Sequence, residues 1–180
     1  MKRTLFLLLA FITLSGTFAI NAKTSNSFLT AQDILKPEKV EETSVCLLKS
    51  PQDIIKLMKS MGASTAQTIW EYKEYEDTDE NGNDIFNVFD ATRMAFLLPD
   101  YDITFTYYQD PDDKYSDWEG MVIEFRTEEA LNKFIESALK MGFYKMDDDE
   151  NDVYAYGWPG VGYYIKFLDD LTITFILNVG

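Results

Sequence analysis

Histidine is absent from the 180-residue chain, and cysteine occurs once, at Cys46. Without histidine, the Ser-His-Asp and Cys-His nucleophile systems in their usual form fall away, and so does histidine-ligated zinc. One thiol supports neither an internal disulfide nor a multi-thiolate metal site. Positive charge is scarce too: 16 Lys and Arg stand against 31 Asp and Glu, a net charge of −15. Phosphate binding needs clustered Lys and Arg, so no nucleic-acid partner is expected. The nine glycines include no phosphate-cradling loop. "GWPGVG", from Gly157 to Gly162, lacks a following helix and reads as a turn.

What the chain does contain begins with a leader-like N-terminus. Lys2 and Arg3 precede an unbroken apolar run from Leu5 to Ile12, and Thr17, Ala19 and Ala22 offer small residues for cleavage. This is the layout of a secretory signal peptide over residues 1–22, too short for a comfortable membrane span. The expected protein is secreted or periplasmic, with no membrane span once the leader is removed. Cleavage takes away Lys2 and Arg3 and no acid, moving the net charge from −15 to −17. The remaining chain makes one domain or two small fused halves, and 13 Phe, 11 Tyr and 3 Trp supply its core.

Residues 23–42 are polar, with one weak helical turn around Ala31 to Leu35 stopped by Pro37, and read as a flexible arm. Then a pattern occurs twice. "SVCLLKSPQDIIKLMKSMG" runs from a strand into a helix with Ser50 as N-cap, Pro51 in the first turn and an apolar stripe of Ile54, Leu57, Met58 and Met61. "GMVIEFRTEEALNKFIESALKMG" does the same, with Thr127 as N-cap and a stripe of Leu131, Phe134, Ile135, Ala138 and Leu139. Met61-Gly62 and Met141-Gly142 close the two helices 80 residues apart. Four strand-like runs follow each helix, ending in the alternating "YDITFTYY" and "LTITFIL". The expected fold is α+β: two tandem strand–helix–four-strand units over residues 43–110 and 119–180, joined by an acidic linker at 111–118. Each unit is largely antiparallel sheet with one helix packed on it.

"YEDTDENGNDIF" places Asp77, Asp79 and Asn81 at the first, third and fifth positions of a calcium loop, with Asp84 nearby. The twelfth position, where a bidentate glutamate belongs, is Val88, and the flanks are strand-like. A hairpin turn at Asn81-Gly82 explains the stretch with one device, and weak calcium binding is the rival. No other cofactor is indicated. Two further acidic runs, "DPDDKYSDWE" and "MDDDEND", read as solvated loops. Tyr154, Tyr156 and Trp158 fall on one face of "DVYAYGW". They either pack inward, as large rings prefer, or form a platform for sugar or protein. Trp118, between Asp117 and Glu119, is expected in an exposed loop. These four aromatics are the candidate binding residues. The function expected is a non-enzymatic binding or interaction module for a protein or glycan. Its alternatives are a calcium-assisted binding protein and a small hydrolase built on paired carboxylates.

Overall fold

A computed structural model describes residues 28–109, 116–146, 152–157 and 162–178. The expected leader, Trp158 and most of the two later acidic runs lie outside the described residues. In chain order the elements begin with α1 (Ala31–Ile34), β1 (Leu35–Val40), β2 (Thr43–Leu48) and α2 (Pro51–Ser60). Three strands follow: β3 (Ser64–Thr78), β4 (Asp84–Leu97) and β5 (Tyr101–Gln109). Then come β6 (Ser116–Phe125), α3 (Glu128–Met141), β7 (Phe143–Lys145), β8 (Val153–Tyr156), β9 (Gly162–Phe167) and β10 (Thr172–Asn178).

The longer helices start where the sequence caps them. Ser50 Oγ accepts from the Asp53 N–H at 3.2 Å, and Thr127 Oγ1 accepts from the Ala130 N–H at 3.2 Å. Each cap satisfies a donor that a helix N-terminus leaves unpaired. Gly142 ends α3 in the left-handed region, φ 112°. Ile54 and Met58 of α2 are buried, as are Leu131, Phe134, Ile135 and Ala138 of α3. Leu139, at the margin of the α3 stripe, is exposed.

Eight strands form one antiparallel sheet in the order β3-β4-β5-β6-β10-β9-β8-β7. Its core face carries Phe96, Ile103, Phe105, Met121, Ile123 and Phe175, which share a cluster with the buried stripes of α2 and α3. Phe134 lies 5.5 Å from Phe125 and 6.4 Å from Phe175, ring centre to ring centre, and so bridges α3 to the middle of the sheet. Burying one such ring contributes about 1.5–3 kcal/mol.

The α+β class and the antiparallel sheet are as expected, but four details of the chain differ. Three strands, not four, follow α2, because "DIFNVFD" and "RMAFLLPD" are one strand, β4. Ala91 and Thr92, at the join, are both buried and stay paired with β3 and β5, so no turn forms there. The first strand of each half also sits differently: β6 lies inside the main sheet, whereas β2 pairs only with β1 as a separate hairpin. From Phe28 to Leu35 the supposed arm is packed, because Leu29, Ala31, Ile34 and Leu35 are buried in the common core, while the rest of β1 is exposed. The Ala31 N–H donates to Ser137 Oγ at 2.6 Å, tying α1 to α3. Finally, β6 begins at Ser116, inside the stretch read as linker.

The β1–β2 hairpin rests on the sheet at two glycines. A Cβ on Gly157 would lie 2.1 Å from the Ser44 carbonyl oxygen, and one on Gly162 would lie 3.2 Å from Cys46 backbone atoms. Close backbone approach demands glycine at 157, while a side chain at 162 would push the hairpin away by a few tenths of an ångström. Sequence pattern shows only a turn there, since the neighbour that requires the missing side chain is more than a hundred residues away.

Candidate functional site

The β3–β4 pair is longer than the sheet it belongs to. Its register runs from Ser64↔Leu97 to Thr78↔Asp84, while among the described residues β5 pairs with β4 only as far as Asp90↔Gln109. Beyond that point β3 and β4 continue as a two-stranded ribbon. Side chains alternate along a strand, so Phe86 and Val88 lie on the same face as Met94 and Phe96 of the core. The core face therefore runs past the helix layer and out into solvent. On the ribbon, Tyr75, Phe86 and Val88 are exposed by 56, 46 and 47%, and Ile69, just before it on the same face of β3, by 59%. Tyr75 and Phe86 face each other across the strands at 6.2 Å, edge to face. Such a contact contributes about 0.5–1.5 kcal/mol beyond area burial.

The opposite face of the ribbon spends its rings on internal contacts. Tyr72 stacks on Tyr108 at 4.6 Å, and the Arg93 guanidinium lies 5.6 Å from the Trp70 ring centre. Little flat aromatic surface is left there for stacking on a sugar.

At the tip, Asp79 organises the turn. Its Oδ1 accepts from the Asn81 and Asn83 N–H groups, both at 2.8 Å, and its Oδ2 accepts from the Asn83 side-chain amide at 3.0 Å. The Asn83 hydrogen bonds, foremost among the causes, hold the carboxyl below its ordinary range. Backbone bonds from Gly82 N–H to Asp79 O (2.9 Å) and from Asp79 N–H to Asn83 O (2.8 Å) close the loop, and Gly82 adopts φ 83°. The turn thus spans Glu80, Asn81 and Gly82 with glycine in the left-handed place, one of the common hairpin connections. Of the other candidate metal ligands, Asp77 accepts from the Thr78 N–H, and Asp84 opens β4 opposite Thr78. Among the described residues, no three Asp, Glu or Cys side chains converge on a point where a metal ion would sit.

The candidate aromatics are dispersed. Tyr154 and Tyr156 are half-buried on the core face of β8, beside Phe167 at 6.0 Å and Phe143 at 5.2 Å. Trp118 lies in strand β6, opposite Tyr107 of β5, rather than in a loop. Trp158 lies outside the described residues. The exposed residues Ile69, Phe86 and Val88 were legible only as strand, because whether a strand face is covered depends on where the helices stop.

A second concave region, of ≈ 320 Å³, is lined by Glu124, Asp169, Asp170 and their neighbours. Hydrogen bonds from the Leu171 N–H and from Thr172 lower the Asp169 pKa. A general acid requires the opposite shift. Among the described residues, no helix is long and apolar enough to cross a membrane.

Fold and surface define the class: an α+β protein, mostly antiparallel sheet, that extends an acidic, partly apolar β-ribbon into solvent. Comparisons of the chain with protein-family models, curated proteins and solved structures found no match.

Proposed function

We propose that this is an exported, non-enzymatic interaction module that holds a protein partner on the β3–β4 ribbon. One observation carries the reading: the core face of the sheet continues past the helices as an exposed row, with Tyr75, Phe86 and Val88 uncovered. Exposed apolar groups that project together and are rimmed by charge mark contact surfaces more often than idle ones. The absence of histidine from the sequence, which removes the usual nucleophile systems, favours binding over hydrolysis. The two halves are read as diverged copies of one unit. Matched caps at Ser50 and Thr127 and matched Met-Gly endings support that reading. The fused β4 and the displaced β2 are then the divergence.

A photo-crosslinking side chain at Phe86, in the native cell, tests the binding reading against the same group at Leu168, in the turn after β9. The expected result is one defined protein adduct at Phe86 that disappears in Tyr75→Ala. Identical adducts at both positions, or none at Phe86, would overturn it.

A further inference from the structure

We infer that the ribbon's partner is a basic, extended protein segment that adds as a new strand along the free edge of β3. This rests on the ribbon being the contact surface, and it specifies what the surface takes. β3 ends the sheet order, with β4 on one side and no strand among the described residues on the other. In an antiparallel pair every second residue turns its N–H and C=O away from its neighbour, so β3 presents a row of unpaired backbone groups. Its register with β4 is unbroken from Ser64 to Tyr75 and shifts only at Glu76. That regular stretch is long enough for the addition of a single peptide strand.

Charge selects among the occupants of such an edge. Between Glu71 and Asp90 the ribbon holds eight acidic residues and one basic residue, Lys73. On the stretch from Ser64 to Tyr75 itself Glu71 and Glu74 stand against Lys73, and the other six acids lie between Glu76 and Asp90, so a second copy is opposed by the like net charge of the two chains rather than by facing side chains. The charges that guard the edge against self-pairing therefore become attractive for a strand rich in Lys or Arg. The partner's apolar side chains on one face would meet Ile69 and Tyr75, both exposed on β3, and the cations alternating with them would lie on the other face beside Glu74.

The test uses the full isotopically labelled chain and three synthetic peptides of about ten residues, a length matched to the regular part of β3. They are alternating Lys-Val, alternating Glu-Val, and a Lys-Val peptide N-methylated at every residue. The expected result is that Lys-Val shifts the backbone amide signals of residues 64–75. Glu-Val should leave them unmoved. N-methylation, which removes the backbone donors, should weaken binding at least about tenfold. Raising salt from about 0.05 to 0.5 M should weaken Lys-Val binding several-fold. Glu71→Lys with Glu74→Lys should do the same, with the spectrum showing the fold intact. Equal binding by the N-methylated peptide would reduce the effect to unspecific charge attraction and overturn strand addition. Equal binding by Glu-Val, shifts centred elsewhere, or no binding by Lys-Val would overturn the inference as a whole. A partner crosslinked at Phe86 alongside any of these outcomes would leave the interaction reading standing and this inference refuted.

Discussion

At the scale of single residues, the glycines divide by what their missing side chain would meet. Gly157→Ala forces a Cβ into the Ser44 carbonyl at a positive φ of 73°. It should lose about 3–4 kcal/mol of stability in chemical denaturation. Gly82→Ala meets nothing within 4 Å and bears only the strain of its φ of 83°. It should cost about 1 kcal/mol, confined to the ribbon. Cys46 is buried in the common core, and that burial pushes its thiol from the ordinary 9.0 up to about 12, against a smaller downward pull from a Lys36 backbone hydrogen bond. The thiolate is the reactive form, so alkylation of Cys46 should require unfolding. The same shift makes stability depend on pH. The unfolded chain releases the thiol proton near pH 9 and the folded chain keeps it, so below pH 9 the group has no effect. As pH rises from 9 toward 12, stability should fall. Tyr101, raised by burial and then by Asp33 and Asp100, adds a fall of the same sign beginning above its ordinary 10.0. Urea unfolding of Cys46→Ala between about pH 8 and 11 should show a shallower decline than the natural chain.

At the scale of elements, helix and ribbon should respond unequally to losing a ring. Phe134 touches both Phe125 and Phe175. Phe134→Ala should therefore cost about 3–5 kcal/mol. Phe86 is nearly half exposed and touches Tyr75 across the ribbon, so Phe86→Ser should cost only about 0.5–1.5 kcal/mol. Equal losses for the two would show the ribbon to be part of the core. Asp79→Ala should speed hydrogen exchange at the Asn81 and Asn83 amides, whose acceptor it removes, without changing the melting temperature. These elements also mark how far the sequence could be read. Caps at Ser50 and Thr127, helical stripes and period-2 strands are local signals, and each formed where its pattern lay. The hairpin at Gly82 was legible for the same reason. Misread were the features that depend on distant neighbours. The join at Asp90-Ala91 looked like a break because both residue types are depleted in strands, yet pairing with β3 and β5 carries the strand through. Leu29 to Leu35 looked too polar in sum to fold, yet their few apolar side chains find α3 and the common core. No local pattern could show that β4 outruns β5.

At the scale of the whole molecule, the leader-like N-terminus makes a simple prediction: exported material should begin near Ile20 or Lys23. Intact Met1 on exported protein would contradict it. The sheet order has another consequence, one of timing. β10, the latest described strand in the sequence, does not finish an edge but fills the gap between β6 and β9. Before residues 172–178 leave the ribosome, β6 has only β5 beside it, and β7, β8 and β9 have no attachment to the rest of the sheet. Long-range pairing of this kind is slow, because the closure entropy of the intervening chain comes before its reward. A chain ending at Asp170 should therefore show no cooperative unfolding transition. Until residues 172–178 emerge the two parts of the sheet stay unjoined, which is the condition in which a polypeptide can still be threaded through a narrow channel.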